Sequence, residues 1–154
     1  MLLKQDKGNT LAEAELAIQR LHGAGIEYDA HIMTGICGRG RWQENAAALA
    51  GFFNRTMPKR ICNFSLFIHR ESLLYQDMLH GSFHPADELE TLQEELALLK
   101  QLHGFACVYD GLHDFVPAHI RGNLPEDQEK MCRHLIREIH RLEADPSLIK
   151  TAIV

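Results

Sequence analysis

The sequence predicts a single α/β domain with parallel strands. Three observations point there: a capped amphipathic helix stops at glycines and runs into an alternating segment, the same helix-to-strand unit repeats further along, and no low-complexity linker divides the 154 residues. Parallel strands follow because connections of helical length return the chain to the same end of the sheet before each new strand.

Taken in order, Thr10 reads as an N-cap, and Glu13 three residues later completes a capping box. Leu11, Ala14, Ala17, Ile18 and Leu21 then recur at helical spacing, and Gly23 and Gly25 stop the helix. Ile26 to Met33 alternates strictly and ends at Gly35, a first strand reaching to about Thr34. Arg41 to Phe53 is alanine-rich and helical, Pro58 closes the connection, and Arg60 to Ile68 forms the second strand. Pro85 opens a long helix to Leu102 on the apolar positions Leu89, Leu92, Leu96 and Leu99. Gly104 ends that helix, and Phe105 to about Asp110 is the third strand. A last helix runs from Pro125-Glu126-Asp127 to about Leu142, so residues 123–154 are expected as a helical extension of the domain.

Bulk properties narrow the function. At 45% hydrophobic and 24% charged the chain is globular, and a net charge of −5 without a basic run argues against nucleic acid or an anionic membrane as partner. No apolar run approaches the roughly 20 residues of a membrane span, and Met1 to Lys7 lacks a signal-peptide core, so a cytoplasmic protein is expected. Cys37, Cys62, Cys107 and Cys132 contain no CxxC pair and read as reduced thiols, so no metal site is expected in this chain.

Ligands meet parallel α/β folds at the carboxyl ends of the strands, where the loops are free to vary. Here those ends carry Thr34-Gly35-Ile36-Cys37-Gly38-Arg39-Gly40 after the first strand, His69-Arg70-Glu71 after the second, and Asp110-Gly111-Leu112-His113-Asp114 after the third. Glycines so placed let a ligand approach the backbone, or serve only the turn. Alternation directs Tyr28, Ala30 and Ile32 toward the helices and leaves Asp29, His31 and Met33 on the other face. In the second strand it assigns Cys62, Phe64, Leu66 and Ile68 to the helices and Asn63, Ser65 and His69 to the other face. That polar face is either the solvated side of an open sheet or the wall of a lumen that holds a ligand. Asp29, Asn63, Ser65, His69, Asp110 and His113 are the candidate substrate-binding residues. A metal-dependent hydrolase drawing on His69, Asp110 and His113 is a further possibility of this pattern.

The order of motifs resembles the later part of a radical S-adenosylmethionine barrel. Lys7-Gly8-Asn9-Thr10, Ala24-Gly25-Ile26 and Met33-Thr34-Gly35-Ile36-Cys37-Gly38 are similar to the family's fourth-to-fifth-strand region. Ser72-Leu73-Leu74-Tyr75 with Gly81-Ser82-Phe83 resembles its sixth-strand region, and Gly122-Asn123-Leu124-Pro125-Glu126-Asp127 the tail of one branch. The resemblance implies a partial TIM-like barrel, an incomplete (β/α)6 arc with flanking helices, contributing to a pocket for S-adenosylmethionine beside a [4Fe-4S] cluster. It maps cofactor contacts onto His31, Met33, Gly35, Ile36 and Gly38, and onto Leu66, Phe67 and Ile68. Gly38 stands where the family motif ends in Glu, and the family's CxxxCxxC does not occur. The implied cluster and cofactor therefore belong to a full-length parent, this chain alone is expected to be inactive, and its expected partner is a missing N-terminal half-barrel or a second copy. The other reading from the residues is a stand-alone α/β module that binds a small molecule or a partner without catalysis.

Overall fold

The structure, a computed structural model, describes residues 8–111 and 118–154. Its elements are α1 (Leu11–Gly23), β1 (Asp29–Thr34), α2 (Trp42–Thr56), β2 (Arg60–Ser65), α3 (Leu73–Leu79), α4 (Glu88–Gln101), β3 (Cys107–Gly111), β4 (Ile120–Leu124) and α5 (Gln128–Ala144). The strands form one open sheet in the order β1-β2-β3-β4, the first three parallel and β4 antiparallel to β3. The α/β class and the parallel core are as expected from sequence, and among the described residues the sheet is open and does not close into a barrel.

Local chemistry sets the boundaries. The capping box at α1 is formed: Thr10 Oγ1 accepts the Glu13 amide at 3.2 Å and Glu13 Oε2 accepts the Thr10 amide at 2.7 Å. Strand β1 starts at Asp29 rather than Ile26, because the Ile26 amide bonds back to Leu21 O and Gly25 sits at φ 72° in the turn that ends α1. Strand β2 stops at Ser65 rather than Ile68, since its neighbour β1 ends at Thr34; Ile68 bridges to Ile153 of the C-terminal segment instead. Helix α4 begins after Asp87, whose side chain accepts the Glu90 amide at 3.0 Å, so Pro85 precedes the helix and does not open it. The short α3, capped by Ser72, and the strand β4 had no counterpart in the sequence reading. With β4 ending inside it, the segment 123–154 is not wholly helical.

Helices α2, α4 and α5 contact one another in series and cover one face of the sheet. Between the layers lie Ala46, Ala50 and Phe53 of α2, Leu92, Leu98 and Leu99 of α4, and Leu135, Ile139 and Leu142 of α5. Each fully buried leucine contributes up to about 1.5–3 kcal/mol.

The register corrects the facing of β2. Pairing Ala30 with Ile61, Ile32 with Asn63 and Thr34 with Ser65 puts all six on the helix-covered face. Asn63 and Ser65 are therefore buried under the helices, and Cys62 and Phe64 stand half-buried on the opposite face. A one-residue difference in facing moves a whole strand's side chains between layers.

Candidate functional site

Two regions gather the residues singled out by sequence. The first is the sheet face opposite the helices. Asp29, His31 and Met33 of β1 share it with Arg60, Cys62 and Phe64 of β2 and with Asp110 of β3, because parallel register aligns His31 with Cys62 and Cys62 with Asp110. His31 is exposed and its ring stacks on Phe64 at 5.9 Å between centroids. Charges alternate across the strands: Arg60 Nε lies 3.9 Å from Asp29 Oδ2, and Arg121 Nε of β4 lies 3.7 Å from the buried Asp110. The face is thus polar yet largely self-neutralised.

The second region is the carboxyl end of β1 and β2. Gly35 and Gly38 sit at φ 81° and 80°, a backbone region that L side chains rarely enter. A Cβ on Gly38 would come 2.7 Å from His84 O, so this glycine is required by the close approach of the loop after β1 to the connection before α4. The Arg39 amide seals the same contact, donating to His84 O at 2.8 Å. Between these segments a cavity of about 390 Å3 is walled by Ile36, Cys37, Gly38, Arg41, Asp77 and His84, within the size range of small-molecule sites. A neighbouring cavity of about 290 Å3 includes Ser65, Leu66, Glu88 and Lys150. Phe67 is partly exposed, whereas Ile68 is buried where the C-terminal segment pairs with it, its amide donating to Ala152 O at 2.8 Å.

The candidates therefore do not converge on one point. Ile36 and Gly38 reach one cavity, Ser65 and Leu66 another, and Asp29, His31, Met33 and Asp110 the sheet face. Asn63 lies wholly buried in the helix layer, and His69 is an exposed loop residue whose Nδ1 accepts the Glu71 amide at 3.3 Å. His113 falls outside the described residues. The sequence also carries an HxxxH spacing at His80 and His84, but His80 ends α3 and His84 lies in the loop beyond, so the spacing does not align two imidazoles on one helix. Among the described residues, no three His, Cys, Asp or Glu side chains are grouped to hold a metal ion.

Thiol chemistry is not favoured either. Burial pushes the Cys37 and Cys62 thiols up, Glu94 adding to the shift at Cys37, and Cys107 is raised to about 11 chiefly by burial.

The carboxylates under the sheet were not visible as site residues in the sequence. Glu94 accepts the Gly35 amide at 3.2 Å and Asn45 Nδ2 at 2.5 Å, and Glu95 accepts Asn63 Nδ2 at 3.2 Å and Tyr109 Oη at 2.9 Å. The available signal was position: Glu95 falls three residues after Leu92 and three before Leu98, within the apolar stripe of α4. No family model matches the chain, and no curated protein matches it.

Proposed function

We propose that this chain is the C-terminal arc of a radical S-adenosylmethionine enzyme, contributing part of the cofactor and substrate pocket while the cluster is held by an upstream half-barrel. The observation that carries the reading is the winding: among the described residues β1, β2 and β3 are parallel, consecutive in the sheet, and backed by α2, α4 and α5 on one face only. Doubly wound sheets reverse direction and carry helices on both faces; barrel walls do neither. The opposite face, with Asp29, His31, Met33, Phe64 and Asp110, would line the lumen.

The two implied groups fare differently. A cluster with one open iron needs three converging thiolates. Cys37, Cys62, Cys107 and Cys132 lie on separate elements, Cys107 and Cys132 buried, and they do not fit a cluster; no step is derived through one. S-adenosylmethionine fits better. The space beside Gly35 and Gly38 is taken up by Thr91, Phe83 and His84, so the support is the cavity beside Ile36, which has room for part of the cofactor. When bound, that cofactor supplies the 5′-deoxyadenosyl group; this chain's residues would position it and exclude water.

A second reading rests on β4. An antiparallel strand at the far edge ends the parallel arc and suits a stand-alone open-sheet module that binds a small molecule in the Ile36–His84 cavity without catalysis. Reading the gene upstream of Met1 separates the two. A continuing frame with CxxxCxxC supports the barrel arc, and a stop codon directly before Met1 sinks it.

A further inference from the structure

Residues 150–154 lie as an extended segment beyond the carboxyl end of β2. Ile68 donates its amide to Ala152 O at 2.8 Å and accepts the Val154 amide at 3.0 Å, and the Arg70 amide donates to Val154 O at 2.9 Å. At the base of the segment the Glu88 amide donates to Lys150 O at 2.8 Å, and Ile149 packs against the core. Ile68 is buried in this pairing, yet Thr151, Ala152 and Ile153 are only half-buried and Val154 is exposed. Main-chain bonds therefore hold the segment with little apolar burial behind them, and such an element opens more easily than the core does.

The same segment walls the cavity of about 290 Å3, whose lining also includes Ser65, Asp87, Glu88 and Thr91. Ser65 lies on the helix-covered face of β2 with 5% of its surface exposed, and its Oγ is buried without a hydrogen-bond partner. A hydroxyl cut off in this way costs stability, and contact with water or with a ligand removes that cost. We propose that segment 151–154 is a lid: it lifts from Ile68 and Arg70 while Ile149 and the rest of the domain stay in place, and small molecules reach the Ser65 hydroxyl only when it is lifted. The bonds to Ile68 and Arg70 favour the closed state, and the unpartnered Ser65 favours the lifted one. The proposal rests on neither reading of the function, because it concerns access to the cavity and not the chemistry inside it.

Ser65→Cys in the full chain places a thiol under the lid without removing a hydrogen bond, and alkylation by iodoacetamide, located by peptide mass, reads access to it. Ile153→Asp sets a carboxylate in the cavity wall beside the buried Ile68, which favours the lifted state. Alkylation at position 65 should be slow in Ser65→Cys alone and about tenfold or more faster in the double variant, while the buried Cys107 and Cys132 react no faster. A rate in Ser65→Cys alone that matches a free cysteine, an unchanged rate in the double variant, or an equal rise at all three thiols overturns the lid. Hydrogen exchange of the wild type supplies a second measurement that needs no variant to fold. The Leu66 amide donates to Thr34 O of β1 at 2.9 Å, whereas the Ile68 amide two residues on donates to the lid. After correction for intrinsic rates, Ile68 and Arg70 should exchange about tenfold or more faster than Leu66. Equal protection at Ile68 and Leu66 overturns the proposal as well.

Discussion

Tyr109 donates its hydroxyl to Glu95 Oε1 at 2.9 Å, and both residues are wholly buried between the sheet and α4. Asn63 Nδ2 donates to the same two groups, at 3.2 Å to Glu95 and 3.0 Å to Tyr109. Three polar side chains from β2, β3 and α4 thus form one network inside an apolar layer, where each bond is strong and each loss is costly.

Tyr109→Phe removes the hydroxyl and keeps the ring. We expect a loss of about 1–3 kcal/mol, read from the midpoint of urea unfolding at unchanged slope. A variant as stable as wild type would mean that the network contributes nothing to stability.

Gly38 and Gly40 provide a matched pair. Both have positive φ, but a Cβ on Gly40 meets nothing within 4 Å while one on Gly38 meets His84 O at 2.7 Å. Gly40→Ala should cost about 1–2 kcal/mol from backbone conformation alone, and Gly38→Ala about 1–3 kcal/mol more from the clash. Equal thermal shifts for the two variants would contradict the close packing of this loop.

Global stability should depend on pH through Glu94. Its folded pKa, about 7, lies above the ordinary value of 4.5, so between those pH values the folded protein holds a proton that the unfolded chain has lost. Stability is therefore greatest below about 4.5 for this group and declines toward pH 7, by at most on the order of 3 kcal/mol. Glu94→Gln should flatten that decline. Denaturant titrations at pH 5 and 7.5 measure it, and an unchanged slope in the variant would count against the assignment.

Strand β1 pairs only with β2 among the described residues, and Ile26, which precedes it in the chain, is exposed, as are Leu11 and Leu16 of α1. An open parallel edge is a template for association, and exposed apolar side chains add to it. We expect a two-fold dimer by light scattering after gel filtration. A mass of 17.5 kDa at high protein concentration would falsify this.

Anaerobic incubation with iron and sulfide should leave the chain colourless, since its four cysteines stand on separate elements. Stoichiometric brown protein would show that they converge after all.

Much of the architecture was legible because it is local. The Thr10–Glu13 box, the glycine stops and the alternation of β1 depend on residues within a few positions of one another, and they appear in place. Strand β4 was not legible: its five residues carry Gly122, and it forms because β3 offers an edge and because Asp127 and Met131 pack where a side chain would otherwise stand. The candidate site was legible only as loops. The glycine turn after β1 was recognisable from composition, whereas its anchors are far away in sequence, Glu94 lying 59 residues from Gly35 and Glu90 lying 50 residues from Gly40.

The amino-acid sequence alone determined the α/β class, the parallel direction of the first three strands implied by helical connections, and the placing of glycines at the end of β1. Tertiary structure alone decided which face of β2 meets the helices, and through it whether Asn63 and Ser65 face a lumen or a core. The physical reason is that a strand holding polar and apolar residues at both parities has no facing preference of its own. Asn63 turns inward because Glu95 and Tyr109, brought in by other elements, accept from its Nδ2 there and offset part of the cost of removing its amide from water, although its Oδ1 is buried without a partner.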